Sequence, residues 1–105
     1  MTETTYTIDR RSDSHGSVVH LRLSGPFHSG ARRDLQRAVL GALAGARVRE
    51  LVVDVRAMTL IDPENVQTLL AGYVAAMRHG HGYRIVNPRR RLRRVLGAAG
   101  LLPAP

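Results

Sequence analysis

The sequence predicts a single α/β domain in which helices pack on a mixed β-sheet of four to five strands, in the order β-β-α-β-α-β-α. Three observations predict this fold class. The chain has 105 residues, enough for one hydrophobic core but not two. Strand-like segments occur along its whole length, and the later ones alternate with longer segments of helical periodicity. Crossovers of that length place successive strands side by side and parallel.

The first two elements are predicted to be strands. Residues 4–8 alternate in polarity and predict an edge strand, and the charged residues 9–17 predict a loop or hairpin turn. Residues 18–23 predict a second strand, ended by Ser24-Gly25-Pro26. Its inner face is expected to consist of Val19, Leu21 and Leu23.

A first helix is predicted over residues 30–43, with Ser29 as its capping residue. Residues 51–55 then form a short strand that is apolar on consecutive positions, a pattern typical of strands covered on both faces. This strand is expected to end near Asp54, followed by a connecting loop.

A second, longer helix is predicted to begin at Asp62-Pro63-Glu64. Asp62 suits the N-cap, Pro63 the first helical position and Glu64 the first turn. Its apolar stripe consists of Val66, Leu69, Leu70, Tyr73, Val74 and Met77. Residues 83–86 predict the last strand. Asn87 and Pro88 are expected to cap and begin a short helix with Leu92, Val95 and Leu96 on one face.

The composition excludes several classes of protein. The chain has no Cys, which excludes disulfides and thiolate chemistry, and no cofactor or metal is expected. The N-terminus lacks an apolar signal region and no apolar stretch is long enough to span a bilayer, so we expect a cytoplasmic protein without membrane insertion. The net charge of +8 comes from arginine alone and favours acidic partners, nucleic acid included.

Several short motifs follow one another along the chain: VHLRLSG before the first helix, VVDV in the central strand, Leu60-Ile61-Asp62, Arg94-Val95-Leu96 and Gly100-Leu101. In this order they resemble the STAS family, the domain shared by anti-sigma factor antagonists and sulfate-transporter tails. The resemblance covers residues 17–102 and implies a STAS-like core there. Residues 1–16 are then the N-terminal strand and loop of the same domain, and residues 103–105 are a tail.

The sequence departs from the family at three consecutive positions. Where the family commonly has Ser-Ser/Thr-Gly after the Asp, this chain has Pro63-Glu64-Asn65. The first of those serines is the family's phosphorylation site, and Pro63 has no hydroxyl to phosphorylate. Three interpretations remain open: the loop is permanently competent to bind, Glu64 partly imitates a phosphate and blocks binding, or the switching role is lost.

The resemblance implies a non-enzymatic bacterial regulator of transcription that binds an anti-sigma factor or serine kinase. The residues expected to contact this partner are Met58, Thr59, Ile61, Asp62, Pro63, Glu64, Asn65 and Val66. An accessory subunit of a membrane transporter is the alternative. The sequence does not determine the oligomeric state, and a dimer is one of the alternatives. Thr59 and, less favoured, Thr68 are alternative phosphorylation sites.

Three further groups of side chains are candidates for a chemical function, and each also has a plain structural explanation. Arg89, Arg90, Arg91, Arg93 and Arg94 form a basic run that is a candidate anion site, or a less favoured nucleic-acid site because no aromatic residues lie among them. Asp54 and Asp62 lack an accompanying nucleophile or base, so catalysis is not expected. His79 and His81 lack a nearby third ligand, so no metal site is expected.

Overall fold

The computed structural model describes residues 5–103. These residues form four strands, a short 3-10 turn and three α-helices. In chain order they are β1 (Thr7–Ser12), β2 (Val18–Phe27), the 3-10 turn (Ser29–Ala31), α1 (Arg32–Leu43), β3 (Glu50–Ile61), α2 (Pro63–Arg78), β4 (Gly82–Val86) and α3 (Arg90–Ala98). The predicted α/β fold and order of elements are confirmed.

The sheet has the order β1-β2-β3-β4. Strand β1 runs antiparallel to β2, whereas β3 is parallel to both β2 and β4. The hairpin between β1 and β2 turns at Asp13, whose carboxylate accepts the backbone N–H and the hydroxyl of Ser17, each at 2.8 Å. The hydrogen bond from that hydroxyl lowers the pKa of Asp13.

One hydrophobic core lies between the helices and one face of the sheet. The predicted inner face of β2 is confirmed, because Val19, Leu21 and Leu23 are fully buried. Strand β3 and the helices complete this core with Leu51, Val53, Val55, Met58, Leu35, Val39, Leu69, Leu92 and Leu96. Burial of these aliphatic side chains supplies the main driving force for folding.

The opposite face of the sheet is largely polar, and His20, Arg22 and Arg84 are exposed there. The central strand is nevertheless buried on both faces at residues 51–53, as its consecutive apolar residues predicted. Val52 is buried outside the core cluster, and its register neighbours are His20 and Arg84. Residues with exposed polar side chains therefore flank Val52 on this face.

Three strands are longer than the sequence indicated. Strand β2 runs on to Phe27, through the Ser24-Gly25-Pro26 segment that was predicted to end it. Strand β1 begins only at Thr7 and extends to Ser12, into residues predicted as loop, while the predicted Thr4 lies outside the described residues. Strand β3 continues to Ile61, so the expected loop after Asp54 is a strand that pairs with Ser24–Phe27. The pairing of β2 with β3 has two register shifts, between Arg22 and Ser24 and between Gly25 and Pro26, and each places one extra residue on β3.

Two predicted helix starts were wrong. Ser29 begins the 3-10 turn, and no side-chain hydrogen bond caps that turn or α1. Asn87 has a φ of 62°, a left-handed conformation that asparagine tolerates better than most residues. The chain therefore turns at Asn87 after β4, and α3 begins only at Arg90.

Candidate functional site

The turn at the N-terminus of α2 lies where the sequence predicted the partner-binding loop. It follows the carboxyl end of β3, which lies beside the carboxyl end of parallel β2. Pro63 occupies the first turn of α2, as predicted. Pro63 and Glu64 are both exposed, so they form the tip of the turn.

Asp62 occupies the N-cap position, but its carboxylate does not cap α2 as predicted. Its Oδ2 instead accepts the backbone N–H of Ser29 at 3.0 Å, on the connection between β2 and α1. The Asp62 backbone carbonyl accepts the N–H groups of Asn65 and Val66, which begin the helix. Asp62 therefore joins two neighbouring connections of the chain.

Asn65 reinforces this junction from inside the protein. Its side chain is fully buried, and its Nδ2 donates to the carbonyl oxygens of Phe27 and His28, each at 2.8 Å. Among the described residues, no partner is found for its Oδ1. The Asp62 N–H also donates to the Phe27 carbonyl, at 2.9 Å. Four hydrogen bonds from Asp62 and Asn65 thus clamp the turn to the end of β2 and the residues after it.

The predicted contact residues fall into three groups by exposure. Thr59, Pro63 and Glu64 are exposed, whereas Ile61 and Asp62 are half-buried. Met58, Asn65 and Val66 are buried, so assigning their side chains to partner contacts was wrong. Met58 is buried because β3 extends past it and turns it towards the core. The available surface of the turn is therefore smaller than the sequence indicated.

A groove between α1 and α2 adjoins the turn, and the sequence analysis did not predict it. It has a volume of about 270 Å³ and shares Glu64 with the turn. Its other lining residues are Arg32, Gln36, Val39, Leu40, Gln67, Thr68 and Ala71. Leu40 is 42% exposed, so the groove combines exposed apolar surface with the charged side chains of Arg32 and Glu64. Leu40 could have indicated it in the sequence, because it is an apolar residue next to the buried Val39 of α1.

The two alternative phosphorylation sites differ in their surroundings. Thr59 is exposed, although it lies in β3 and not in a loop. Thr68 is half-buried, and its hydroxyl donates to the Glu64 carbonyl at 3.0 Å.

The remaining titratable candidates have local structural partners. Asp54 Oδ1 accepts the N–H of Arg56 at 2.9 Å and the side-chain amide of Asn87 at 3.3 Å. The rings of His79 and His81 stack with centroids 6.0 Å apart. Between Thr5 and Pro103, no three acidic, histidine or cysteine residues are grouped in a way that would hold a metal ion.

A family model described as "Mlab, STAS domain" matches residues 11–102. The chain belongs to the STAS domain family. No curated protein matches the sequence significantly. Within the span that the structure describes, no helix of this STAS domain has the length and apolar character needed to cross a membrane.

Solved structures share the STAS fold at low sequence identity. The Bacillus cell fate determinant SpoIIAA in its phosphorylated form is 17% identical, with a TM-score of 0.75 over 90% of this chain and 85% of that chain. An anti-sigma factor antagonist from Mycobacterium paratuberculosis is 19% identical, with a TM-score of 0.74 over 94% and 84%. The STAS domain of a SulP transporter from Vibrio cholerae is 21% identical, with a TM-score of 0.59 over 80% and 62%.

Proposed function

We propose that this STAS domain is a non-enzymatic regulator that binds an anti-sigma factor or serine kinase and so frees a sigma factor for transcription. The observation that carries the proposal is the clamped turn, which presents Pro63 and Glu64 to solvent while Asp62 and Asn65 hold its backbone. The proposal includes action in the bacterial cytoplasm, where sigma factors meet RNA polymerase.

The clamp supports a role in protein binding because it fixes the turn before any partner arrives. A surface that is already ordered loses less conformational entropy on binding than a mobile loop does. The adjoining groove adds Leu40 and the charged Arg32 to this surface. Surfaces that combine apolar and charged side chains are typical of protein interfaces.

The absence of a hydroxyl at Pro63 favours constitutive binding over a phosphorylation switch. The related SpoIIAA has been described in phosphorylated and unphosphorylated forms. Pro63 itself offers no acceptor for a phosphoryl group, so a kinase that bound this turn would have no substrate at that position. Glu64 lies in the first turn of α2, where a carboxylate is stabilised by the helix dipole. That placement explains Glu64 without assigning it the role of a phosphate mimic.

The proposal assigns no catalytic step and no cofactor to the chain. Asp54 and Asp62 both accept backbone N–H groups, which accounts for their positions.

An accessory subunit of a membrane transporter is the second candidate, supported by the similarity to the SulP transporter STAS domain. Its match is weaker than those of the anti-sigma factor antagonists, with a TM-score of 0.59 against 0.74 and 0.75. The two candidates differ in the partner that the same turn would contact.

Affinity capture from the native cell lysate, with three forms of the chain as bait, tests the proposal. The baits are the wild type, Glu64→Arg at the tip of the turn and Asp9→Arg as control. Asp9 is exposed on β1 and makes only a surface ion pair with Arg11 at 3.6 Å, so its replacement causes the same charge change elsewhere. We expect the wild type and Asp9→Arg to retain an anti-sigma factor or serine kinase and Glu64→Arg to lose it. Recovery of transporter subunits instead would favour the second candidate.

A further inference from the structure

The edge strand β4 has backbone hydrogen-bonding groups on its outer side. The Gly82 N–H donates towards β3, to the carbonyl of Arg49, at 2.7 Å. Because successive residues of a strand point their amides to opposite sides, the N–H and C=O groups of Tyr83 and Ile85 point away from β3. Within residues 5–103, no backbone partner outside the sheet is found for these groups. An edge of this kind is a template for a further strand.

The two edges of the sheet differ in the charges that protect them. Edge strand β1 carries Asp9, Arg10 and Arg11, all exposed, and charged side chains on an edge discourage further pairing. Strand β4 carries one charged residue, Arg84, whose Nε is 2.9 Å from Glu50 Oε2. The edge at β4 is therefore the less protected one.

Apolar side chains border the space beside β4. A cavity of about 450 Å³ lies against residues 83–86 of β4 and residues 100–103, which follow α3. Tyr73 of α2 also lines this cavity and is 38% exposed. Its ring meets that of Tyr83 edge-on, with centroids 5.9 Å apart. A strand added to β4 would cover part of this apolar surface, and its burial would favour association.

Glu50 brings a negative charge to the same edge. Its register partner on β4 is Gly82, which has no side chain. A Cβ added at Gly82 would lie 3.1 Å from Glu50 Cγ and 3.4 Å from Glu50 Oε2. The Glu50 carboxylate therefore lies over Gly82, whereas Arg84 projects from two residues further along the strand. The polar face of this edge thus carries an acid and then a base in the chain direction.

We propose that a second copy of this chain pairs with β4, antiparallel and in a register centred on Tyr83, so that the two sheets join into one. In that register, the outward N–H and C=O groups of Tyr83 in the two copies bond to each other. Gly82 of each copy lies opposite Arg84 of the other, as a non-hydrogen-bonded pair whose side chains approach closely. Glu50, over Gly82, therefore meets the arginine of the other copy, which gives two ion pairs related by two-fold symmetry.

The order of the charges selects a second copy as the occupant of this edge. Antiparallel pairing reverses the strand, so the acid and base of one copy face the base and acid of the other. A register centred on Arg84 would instead oppose two arginines, and like charges directly opposite each other destabilise a sheet. Because each copy carries a net charge of +8, we expect a reversible dimer and not a permanent one.

The paired edge is separate from the turn at α2. Glu50 and Gly82 begin β3 and β4, whereas the turn follows Ile61 at the other end of β3. At about 3.3 Å per residue, the two ends of β3 are about 35 Å apart. Loss of dimerisation therefore leaves the proposed protein-binding turn intact, and the two proposals fail independently.

Sedimentation velocity of the purified full chain, from about 5 to about 500 µM, tests the proposal. The test variants are Glu50→Arg and Arg84→Glu, each of which places like charges across the interface. We expect the wild type to dimerise and each variant alone to dimerise at least about tenfold more weakly. An equimolar mixture of the two variants should recover the dimer, because both pairs across the mixed interface then have opposite charges. The pair within one chain cannot explain that recovery, since each variant has like charges there.

The control is Arg11→Glu, the same charge change on the exposed edge strand β1. It should change the dimer dissociation constant by less than about twofold, and circular dichroism verifies that every variant retains the fold.

Four results would overturn the proposal. A wild type that stays monomeric at about 500 µM would leave the edge to a strand of a different protein. A dimer that persists unchanged in both test variants would place the interface elsewhere. An equal loss in Arg11→Glu and Arg84→Glu would indicate an effect of net charge alone. A mixture that dimerises no better than its two components would exclude the register centred on Tyr83.

Discussion

At the scale of single residues, Asp62 and Asn65 determine the geometry of the site. Both lie close to Pro63 in sequence, yet their side chains form hydrogen bonds with the last residue of β2 and the two residues after it. The sequence identified Asp62 as an N-cap from its place before Pro63, and that position is confirmed. It did not reveal the partner of either side chain, because Ser29 and Phe27 are far away along the chain and meet the turn only in the folded sheet.

Replacement of Asn65 by Ala is expected to destabilise the fold by about 1 to 3 kcal/mol, because two buried hydrogen bonds are lost. Gln67→Ala, on an exposed neighbour in the same helix, is the control and should change the free energy of unfolding by less than about 0.5 kcal/mol. Urea unfolding of both variants measures the difference. An equal cost for the two substitutions would mean that the Asn65 clamp contributes nothing to stability.

At the scale of elements, the close approach of α1, α2 and β4 depends on Gly72. A Cβ added at Gly72 would lie 2.5 Å from Val39 Cγ1 and 2.8 Å from the Tyr83 hydroxyl oxygen. That hydroxyl donates to the Leu69 carbonyl at 2.7 Å, and burial raises the pKa of Tyr83. The absence of a side chain at Gly72 therefore lets Tyr83 reach the backbone of α2.

Gly72→Ala is expected to destabilise the protein by about 1 to 3 kcal/mol through overpacking, although alanine favours helices more than glycine does. Gly41→Ala, in α1, is the matched control, because an added Cβ there meets nothing within 4 Å. It should stabilise the protein by up to about 1 kcal/mol. Thermal unfolding of the two variants measures both effects. Stabilisation by Gly72→Ala would contradict the packing described here.

Helix periodicity was the most reliable sequence signal for the elements. The predicted first and last residues of the elements were the least reliable part of the prediction. The helical periodicity of α2 and its Pro63 start were read correctly, since both depend on local geometry. The predicted apolar stripe was right only in part, because Val66 and Leu69 are buried whereas Tyr73, Val74 and Met77 are exposed. The end of β3 was missed because residues 56–61 become a strand only by pairing with the end of β2. The same long-range pairing buries Met58, which local sequence placed in a loop.

At the scale of the whole molecule, apolar and polar residues lie on opposite faces of the sheet. The helices and one sheet face enclose an aliphatic core, and the other sheet face is largely polar. The clamped turn follows β3, whereas the exposed arginines at the start of α3 follow β4. The family was recognisable from the sequence because its motifs follow the order of the strands and helices. The groove beside the turn could not be recognised from the sequence, because it arises only from the packing of α1 against α2.

In the function proposed above, the turn at α2 binds its protein partner without a phosphorylation switch at position 63. The dissociation constant of the purified, captured partner for the wild-type chain, measured with and without prior incubation with MgATP, tests this. We expect the two values to agree within about twofold, since a change of that size is under 0.5 kcal/mol. A weakening of about tenfold or more after incubation with MgATP would contradict it, as would failure of the wild-type chain to bind an anti-sigma factor or serine kinase at all.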